Sequence, residues 1–294
     1  MEEELGWELC RTFLAVLTEG SLSGAARSLG ITQPTAGRHI AALEAVLKQS
    51  LFIRSRTGLL PTRAAQELRV HAEAMRNAAA AMARAAGGQG DGAGTVRISA
   101  SEVIGVEVLP PALASLRRRH PGLRIELVPT NRIQDLLQRE ADIAVRTARP
   151  RQERLVARRV GAVELGLFAR ADYLAEHGMP ATPADLLHHA LIGFDVETPF
   201  VRAARQKLPS WNREAFALRS DSFLAQLALI RAGCGIGVCQ VPVARRDDQL
   251  VRVLSRQFRS SLEVWVAMHE GLRSSPLCRA VFDALVGCLR VHTA

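Results

Sequence analysis

Residues 22–43 read Leu-Ser-Gly-Ala-Ala-Arg-Ser-Leu-Gly-Ile-Thr-Gln-Pro-Thr-Ala-Gly-Arg-His-Ile-Ala-Ala-Leu. The stretch divides at Gly30 into a short Ala-rich helix, a turn, and a second helix starting near Thr32. That is the pattern of a helix-turn-helix, whose second helix enters the DNA major groove. Ser21 is placed to cap the first of the two helices, with Leu22, Ala25, Ala26 and Leu29 turned inward. Gly24, Ala25 and Ala26 are small enough for helices to cross closely. Gly30 ends this helix because it takes positive φ at little cost. Thr32 caps the next one, and Pro34 is tolerated in its first turn. There Ala36, Ile40, Leu43 and Leu47 make an apolar stripe. At about 100° per residue, Thr35 and Arg38 fall on the opposite side, with Gln33, Pro34 and His39 near that face. Arg reads guanine, Gln reads adenine and Thr touches a thymine methyl. A merely solvated helix face is the competing reading.

Working outward, Leu5, Leu9, Phe13, Val16 and Leu17 recur at helical spacing and predict an earlier amphipathic helix. On the other side, Leu51-Phe52-Ile53 and Leu59-Leu60 read as short strands around Arg54-Ser55-Arg56-Thr57-Gly58. Two strands around a basic, Gly-containing tip make a wing, with Arg54 and Arg56 directed at phosphates or a minor groove. Ser23 and Thr57 complete the expected DNA-contacting set. Residues 1–61 thus read as a mostly α winged helix-turn-helix domain. Between residues 20 and 65 the basic groups Arg27, Arg38, Lys48, Arg54, Arg56 and Arg63 face Glu44 alone. Such a local excess suits phosphate contacts, whose counterion release drives association with double-stranded DNA.

Residues 62–94 read as a linker. Thr62 caps a helix predicted to reach about Ala86. In it Leu68, Met75 and Met82 repeat every seven residues, interleaved with Ala65, Ala72, Ala79 and Ala86, as in a two-helix dimer seam. Packing of this helix on its own domain is the alternative. Residues 87–94, Gly-Gly-Gln-Gly-Asp-Gly-Ala-Gly, form a flexible hinge.

From Thr95 strands and helices alternate. Strands are expected at 95–100, 123–129, 141–146, 162–169, 190–195, 235–241 and 262–268. Helices are expected at 109–119, 133–140, 222–232 and 275–291. The alternation argues for a parallel α/β sheet, with ligands beyond the carboxyl ends of its strands. Those ends carry Ser99, Ser101, Glu102, Thr130, Asn131, Arg146 and Thr147, each of which alone is also an ordinary turn or cap residue. Together they predict a polar crevice for a small molecule. Arg146 and the basic surplus of the second half favour an anionic ligand, whereas Glu102 would suit an amine-bearing one.

The chain has 294 residues, 48% of them apolar, which is enough for two or three domains and a sizeable core. No signal peptide and no membrane-length apolar run is evident, so a cytoplasmic protein with no membrane partner is expected. Cys10, Cys234, Cys239, Cys278 and Cys288 are scattered and odd in number, as in a reducing compartment.

The chain resembles the LysR-type transcriptional regulators over essentially its whole length. The resemblance rests on Phe13 with Gly20-Ser21-Leu22, Ala25 to Leu29, Thr32-Gln33-Pro34, Arg38-His39-Ile40, Leu43-Glu44 and Leu51 to Arg54. It continues in His120 to Leu123, Ala141 to Arg146 and Ala232 to Gly237. It implies a winged helix-turn-helix, a dimerising linker helix, and a two-lobed α/β effector domain similar to periplasmic binding proteins. The lobes would comprise about 95–163 with 268–294, and about 164–267, crossing near 162–166 and 264–269. It further implies a homodimer or a homotetramer of two dimers, an effector that changes DNA geometry, and contact with RNA polymerase. The implied pocket positions are Ser99, Ala100, Ser101, Glu102, Val103, Thr130, Asn131, Arg146, Phe194, Asp195 and Ser222. Three departures stand out. Gly37 occupies a position where the family usually has Ser, Leu47-Lys48 replaces Leu-Gly, and Thr62-Arg63-Ala64-Ala65 replaces Thr-x-x-Gly. Gly37 removes a hydroxyl suited to a phosphate contact.

Competing classes are weaker. Gly233-x-Gly235-x-Gly237 follows a predicted helix and leads into a strand, the reverse of a dinucleotide fingerprint. Gly20-Ser21-Leu22-Ser23-Gly24 is off-register for a nucleophile elbow. His188-His189 reads as a helix end. No catalytic residue, metal site or cofactor is expected. A ligand-binding protein without DNA function would leave residues 1–90 unexplained. A redox-sensing variant would use Cys234 and Cys239, which otherwise read as small buried residues.

Overall fold

Trp7–Glu19 forms helix α1, burying Cys10, Phe13, Leu14 and Val16 on one side. The computed structural model describes residues 5–55, 58–86, 93–131, 141–150, 155–206, 208 and 210–294. Helix α2, Leu22–Leu29, starts where the Ser21 hydroxyl accepts the Gly24 N–H at 3.1 Å. Gly30, at φ 68°, turns the chain into α3, Gln33–Leu47. There the Thr32 hydroxyl accepts the Thr35 N–H at 3.4 Å and Pro34 sits in the first turn. Ala36, Ile40 and Leu43 are buried and Leu47 packs against the same core, as the stripe predicts. Strands β1, Phe52–Ser55, and β2, Gly58–Pro61, pair antiparallel. Helix α4, Arg63–Ala86, follows, its start held by the Thr62 hydroxyl accepting the Ala65 N–H.

The chain divides into two compact units, one running to Ala86 and the other carrying the described residues beyond it. Part of the expected dimer seam is used inside the first unit. Ala65 and Ala72 are buried, and Leu68 and Met75 pack with them into the core built on α1. Small residues at every seventh position serve close packing on a domain as well as on a partner helix. Among the described large apolar side chains of α4, Val70, 59% exposed, and Met82, 73% exposed, face solvent.

The second unit opens with β3, Gly94–Ala100, and a π-helical turn at Ile104–Val108. It continues through α5 (Pro110–Arg119), β4 (Leu123–Pro129), β5 (Ile143–Arg146), β6 (Leu155–Arg170) and α6 (Ala171–His177). Then come β7 (Leu191–Gly193), α7 (Pro199–Arg205), β8 (Phe216–Arg219), α8 (Phe223–Arg231), β9 (Gly237–Gln240) and α9 (Val241–Ala244). It ends with β10 (Leu250–Val253), β11 (Ser260–His269) and α10 (Pro276–His292). The expected helix at 133–140 and most of the Gly-rich hinge lie outside the described residues.

The expectation of a parallel sheet holds only in part. β3 lies between β4 and β5, parallel to both, and β7 is parallel to β8. But β6 pairs antiparallel with β9, β10 and β11, and β11 antiparallel with β5. The reason is topological: β6 and β11 carry the chain across the unit in opposite directions. One half of β11 pairs with β5, while the distal end of β6 pairs with β9 and β10. This makes two α/β lobes joined by an antiparallel pair. At Val264/Trp265 the register shifts, leaving Val160 as an extra residue on β6. The Gly233-to-Gly237 segment leads from α8 into β9, a packed helix-to-strand turn.

Candidate functional site

Two places gather the candidate residues, one in each unit. In the first unit, the outward face of α3 carries a short polar row. Thr32 Oγ1 and Thr35 Oγ1 are 2.8 Å apart, and Arg38 Nη2 donates to Thr35 Oγ1 at 3.4 Å. Ser23 Oγ donates to Gln33 Oε1 at 3.1 Å, linking the first turn of α2 to the start of α3. Pro34 and Arg54 are exposed. These bonds are the weak, exposed kind that a base edge or phosphate can displace. Arg56 and Thr57 lie outside the described residues.

His39 departs from the expectation that it sits near the exposed face. Its Nδ1 lies 2.8 Å from Thr12 Oγ1 on α1. Thr12 is buried and its hydroxyl donates to Glu8 O at 2.8 Å, so it accepts from His39. His39 therefore fixes the angle of α3 on α1. At 100° per residue it is rotated off the Arg38 face far enough to reach inward.

Glu44 is the lone acid in this basic region, and the fold turns it inward. Its Oε1 accepts the N–H of Leu51 at 2.6 Å and of Phe52 at 3.3 Å. The carboxylate thereby ties α3 to the first wing strand. The second strand is pinned too: Leu59 N–H donates to Gly20 O at 2.8 Å. Gly58 has φ 136°, and a Cβ there would stand 2.5 Å from Gly20 O, so only glycine fits. At Gly37, by contrast, an added Cβ would meet only Leu22 Cδ1, at 3.8 Å. The missing serine of the family pattern is thus not excluded by packing.

In the second unit a cavity of about 200 Å³ opens beyond the carboxyl ends of β3, β4 and β5. Those ends contribute Ser101, Val103, Asn131 and Thr147. The opposite wall comes from Phe194, Phe200, Phe223, Gln226 and Leu227, and the floor from Leu165, Val238, Cys239, Gln240 and Leu262. Phe194 meets Phe223 and Phe200 edge-on, with ring centroids 5.1 and 6.2 Å apart. Three of the nine phenylalanines of the chain thus converge on one small space.

Of the sequence-expected pocket residues, Ser101, Val103, Asn131, Thr147 and Phe194 line this cavity. The others do not. Ser99 and Ala100 are wholly buried in β3 because strand alternation and the sheet enclose both. Arg146 turns away: Nη2 donates to Ser99 Oγ at 2.6 Å and Nη1 to Val145 O at 2.9 Å. Burial pulls its pKa below the usual guanidinium value. Glu102 and Ser222 lie beside the cavity and engage each other, Ser222 Oγ donating to Glu102 Oε2 at 3.3 Å. Asp195 pairs instead with Arg213 at 2.7 Å. Thr130 continues the strand ladder, its N–H donating to Ala100 O. Sequence reading missed Phe200, Phe223, Gln226 and Gln240. The signal for the two phenylalanines was the clustering of aromatics in an aromatic-poor chain; the two glutamines carried none.

The two lobes are clasped outside the cavity. Arg231 on α8 makes a two-pronged bond to Glu107 in the π-helical turn, at 2.8 and 2.9 Å. The Arg231 hydrogen bond holds the Glu107 carboxyl below its usual range against the opposing effect of burial. Gln240 reaches from the cavity wall to α10, where His292 Nε2 donates to its Oε1 at 2.9 Å. None of the five cysteines is joined in a disulfide. Burial pushes the Cys239 thiol up to about 12, which argues against a reactive thiolate there. Among the described residues no cluster of acids, His and Cys is arranged to hold a metal ion. No helix among them is long and apolar enough to cross a membrane.

Comparison with known proteins agrees with this geometry. Residues 7–82 match the family model "Bacterial regulatory helix-turn-helix protein, lysR family", and residues 89–288 match "LysR substrate binding domain". The chain is 28% identical to the HTH-type transcriptional regulator CrgA of Neisseria meningitidis over 93% of its length and 94% of the relative's. It is 28% identical to the Mau operon transcriptional activator of Paracoccus denitrificans, covering 94% of each. Among solved structures, full-length CbnR complexed with its target DNA aligns with a TM-score of 0.67 at 20% identity, covering 96% of this chain and 99% of that one. The full-length Vibrio cholerae virulence activator AphB aligns with a TM-score of 0.61 at 22% identity, over 96% and 99%. These relatives are transcriptional regulators, not enzymes.

Proposed function

The chain belongs to the LysR family of bacterial transcriptional regulators, and from that premise we propose that it binds promoter DNA sequence-specifically under the control of a small-molecule effector. In this reading it acts in the cytoplasm as a homodimer or homotetramer. α3 lies in the major groove, Arg54 and the wing meet the phosphate backbone, and the cavity of the second unit holds the effector. Occupation of the cavity changes how the assembly holds DNA and meets RNA polymerase. The observation that carries the proposal is the exposed Thr32–Thr35–Arg38 row on a capped helix whose one acid is folded away.

The test is a nuclease footprint on the DNA upstream of the gene encoding this chain, at two salt concentrations. A protected, roughly palindromic site that survives moderate salt is expected. Arg38→Ala should weaken it by about 1–3 kcal/mol and relax base preference without loss of fold. An unchanged footprint removes Arg38 from base reading. Diffuse protection that disappears with salt means purely electrostatic binding. Val238→Phe, which fills the cavity from β9, should alter the footprint in the absence of any ligand. An unaltered footprint with this variant breaks the link between cavity and DNA.

A further inference from the structure

The effector class follows from the cavity wall, and the inference rests on the reading of this cavity as the effector site. Among the described residues that line it, none is charged. Phe194, Phe200 and Phe223 present ring edges and faces, with Leu165, Val238 and Leu262 beneath. A cavity of about 150 Å³ lined by such side chains accommodates benzene, and this one is about 200 Å³. It is sized for one substituted ring.

Arg146, the cation at these strand ends, and the backbone amides beside it are already engaged by the chain, which leaves only neutral donors. Arg146 faces Ser99 Oγ and Val145 O, outside the cavity. The N–H of Ser101 donates to Val145 O, and that of Glu102 to Asn131 Oδ1 at 3.2 Å. At the N-terminus of α8, Ser222 caps the helix and donates its hydroxyl to the Glu102 carboxylate. That helix end is met by a negative charge belonging to the protein. A ligand carboxylate would therefore be desolvated with no cation to receive it, and beside a like charge.

Neutral hydrogen-bonding capacity remains. Gln226 uses Nε2 on Ser220 O, at 2.6 Å, which leaves its Oε1 as an acceptor. Gln240 uses Oε1 on His292, which leaves Nε2 as a donor. The hydroxyls of Ser101 and Thr147 add two groups of either sense. We infer that the effector is a small, uncharged aromatic molecule. Its ring packs against Phe194, Phe200 and Phe223, and a hydroxyl or carbonyl substituent meets the glutamine and hydroxyl groups.

Calorimetric titration of the full-length protein with methyl benzoate and with benzoate, at neutral pH, tests this. The two probes share a ring and differ in charge. The neutral ester should bind at least tenfold more tightly. Phe200→Ala should weaken it about fivefold or more, and Phe200→Leu, which keeps the apolar volume, should also weaken it by losing the ring contact. Equal or tighter binding of benzoate, abolished by Arg146→Gln, would overturn the inference and make Arg146 an anion anchor. Absence of ester binding at millimolar concentration would overturn it too, and a footprint still altered by Val238→Phe would then leave the effector reading standing. Ester binding that leaves the footprint unchanged would end the effector reading and the inference with it, leaving only a cavity that takes uncharged rings.

Discussion

Replacing Glu44 by Ala should loosen the wing from the recognition helix, and the size of the effect follows from two hydrogen bonds. The shorter, 2.6 Å to the Leu51 N–H, joins a carboxylate to an amide of a residue with no exposed surface. Without its acceptor that amide is buried and unpaired, a loss of about 2 kcal/mol for a charge-assisted bond. The longer, 3.3 Å to the half-buried Phe52 N–H, contributes about 0.5 kcal/mol. Glu44→Ala should therefore destabilise the first unit by about 2–3 kcal/mol. Glu44→Gln retains an oxygen acceptor in place and should lose only about 1 kcal/mol. Because the chain has two units, a single melting curve does not isolate the effect. Amide hydrogen exchange at Leu51 and Phe52 in the full-length protein does. Protection should fall strongly in the Ala variant and modestly in the Gln variant. In the footprint, wing contacts should fade while the base preference set by α3 persists. Equal protection in wild type and Glu44→Ala would refute the claim that this carboxylate holds the wing.

Two further outcomes are expected. Lys48 follows α3 at φ 52° and closes it with paired bonds, Lys48 N–H to Ala45 O and Gln49 N–H to Glu44 O, a geometry that favours glycine. Lys48→Gly should stabilise the first unit by about 0.5–1 kcal/mol, the left-handed strain relieved less the added freedom of the unfolded chain; exchange at the end of α3 reads it, and a destabilised variant would contradict the strain. His292 is buried, and burial foremost, with Arg246 second, lowers its pKa to about 4. The unfolded state then binds the extra proton between about pH 6.5 and 4, so this residue's contribution is full above that window and is lost as pH falls through it. Between pH 7 and 4.5 this loss is about 2 kcal/mol. Amide-exchange protection of α10 at pH 7 and 4.5 should show that excess loss in wild type and not in His292→Gln; identical losses would sink the assignment.

Local signals in the sequence carried much of the architecture. Ser21, Thr32 and Thr62 cap the helices they precede, and Gly30 makes the turn, because capping involves groups only two or three residues apart. The apolar stripe of α3 and the strands at β3 and β4 were legible for the same reason: periodicity marks a buried face. The antiparallel crossing of β6 and β11 was not read from strand alternation, since strand direction depends on where the chain must return. The α4 repeat shows the same limit. Its spacing defines an apolar seam but not its partner, and α1 takes Leu68 and Met75.

The sequence by itself determined that a capped helix pair with a basic wing precedes an α/β unit, and that Thr35 and Arg38 share an outward face. Only the tertiary structure decided the destination of each long side chain. Glu44 turns to the wing amides, His39 to Thr12, and Arg146 to Ser99 rather than to the cavity. Likewise Phe194, Phe200 and Phe223, with no common period, meet across one small space. The physical reason is that helix caps and the periodicity marking a buried face are set by residues a few positions apart. The partner of a charge or a ring is instead set by whatever distant segment the fold brings within a few ångströms.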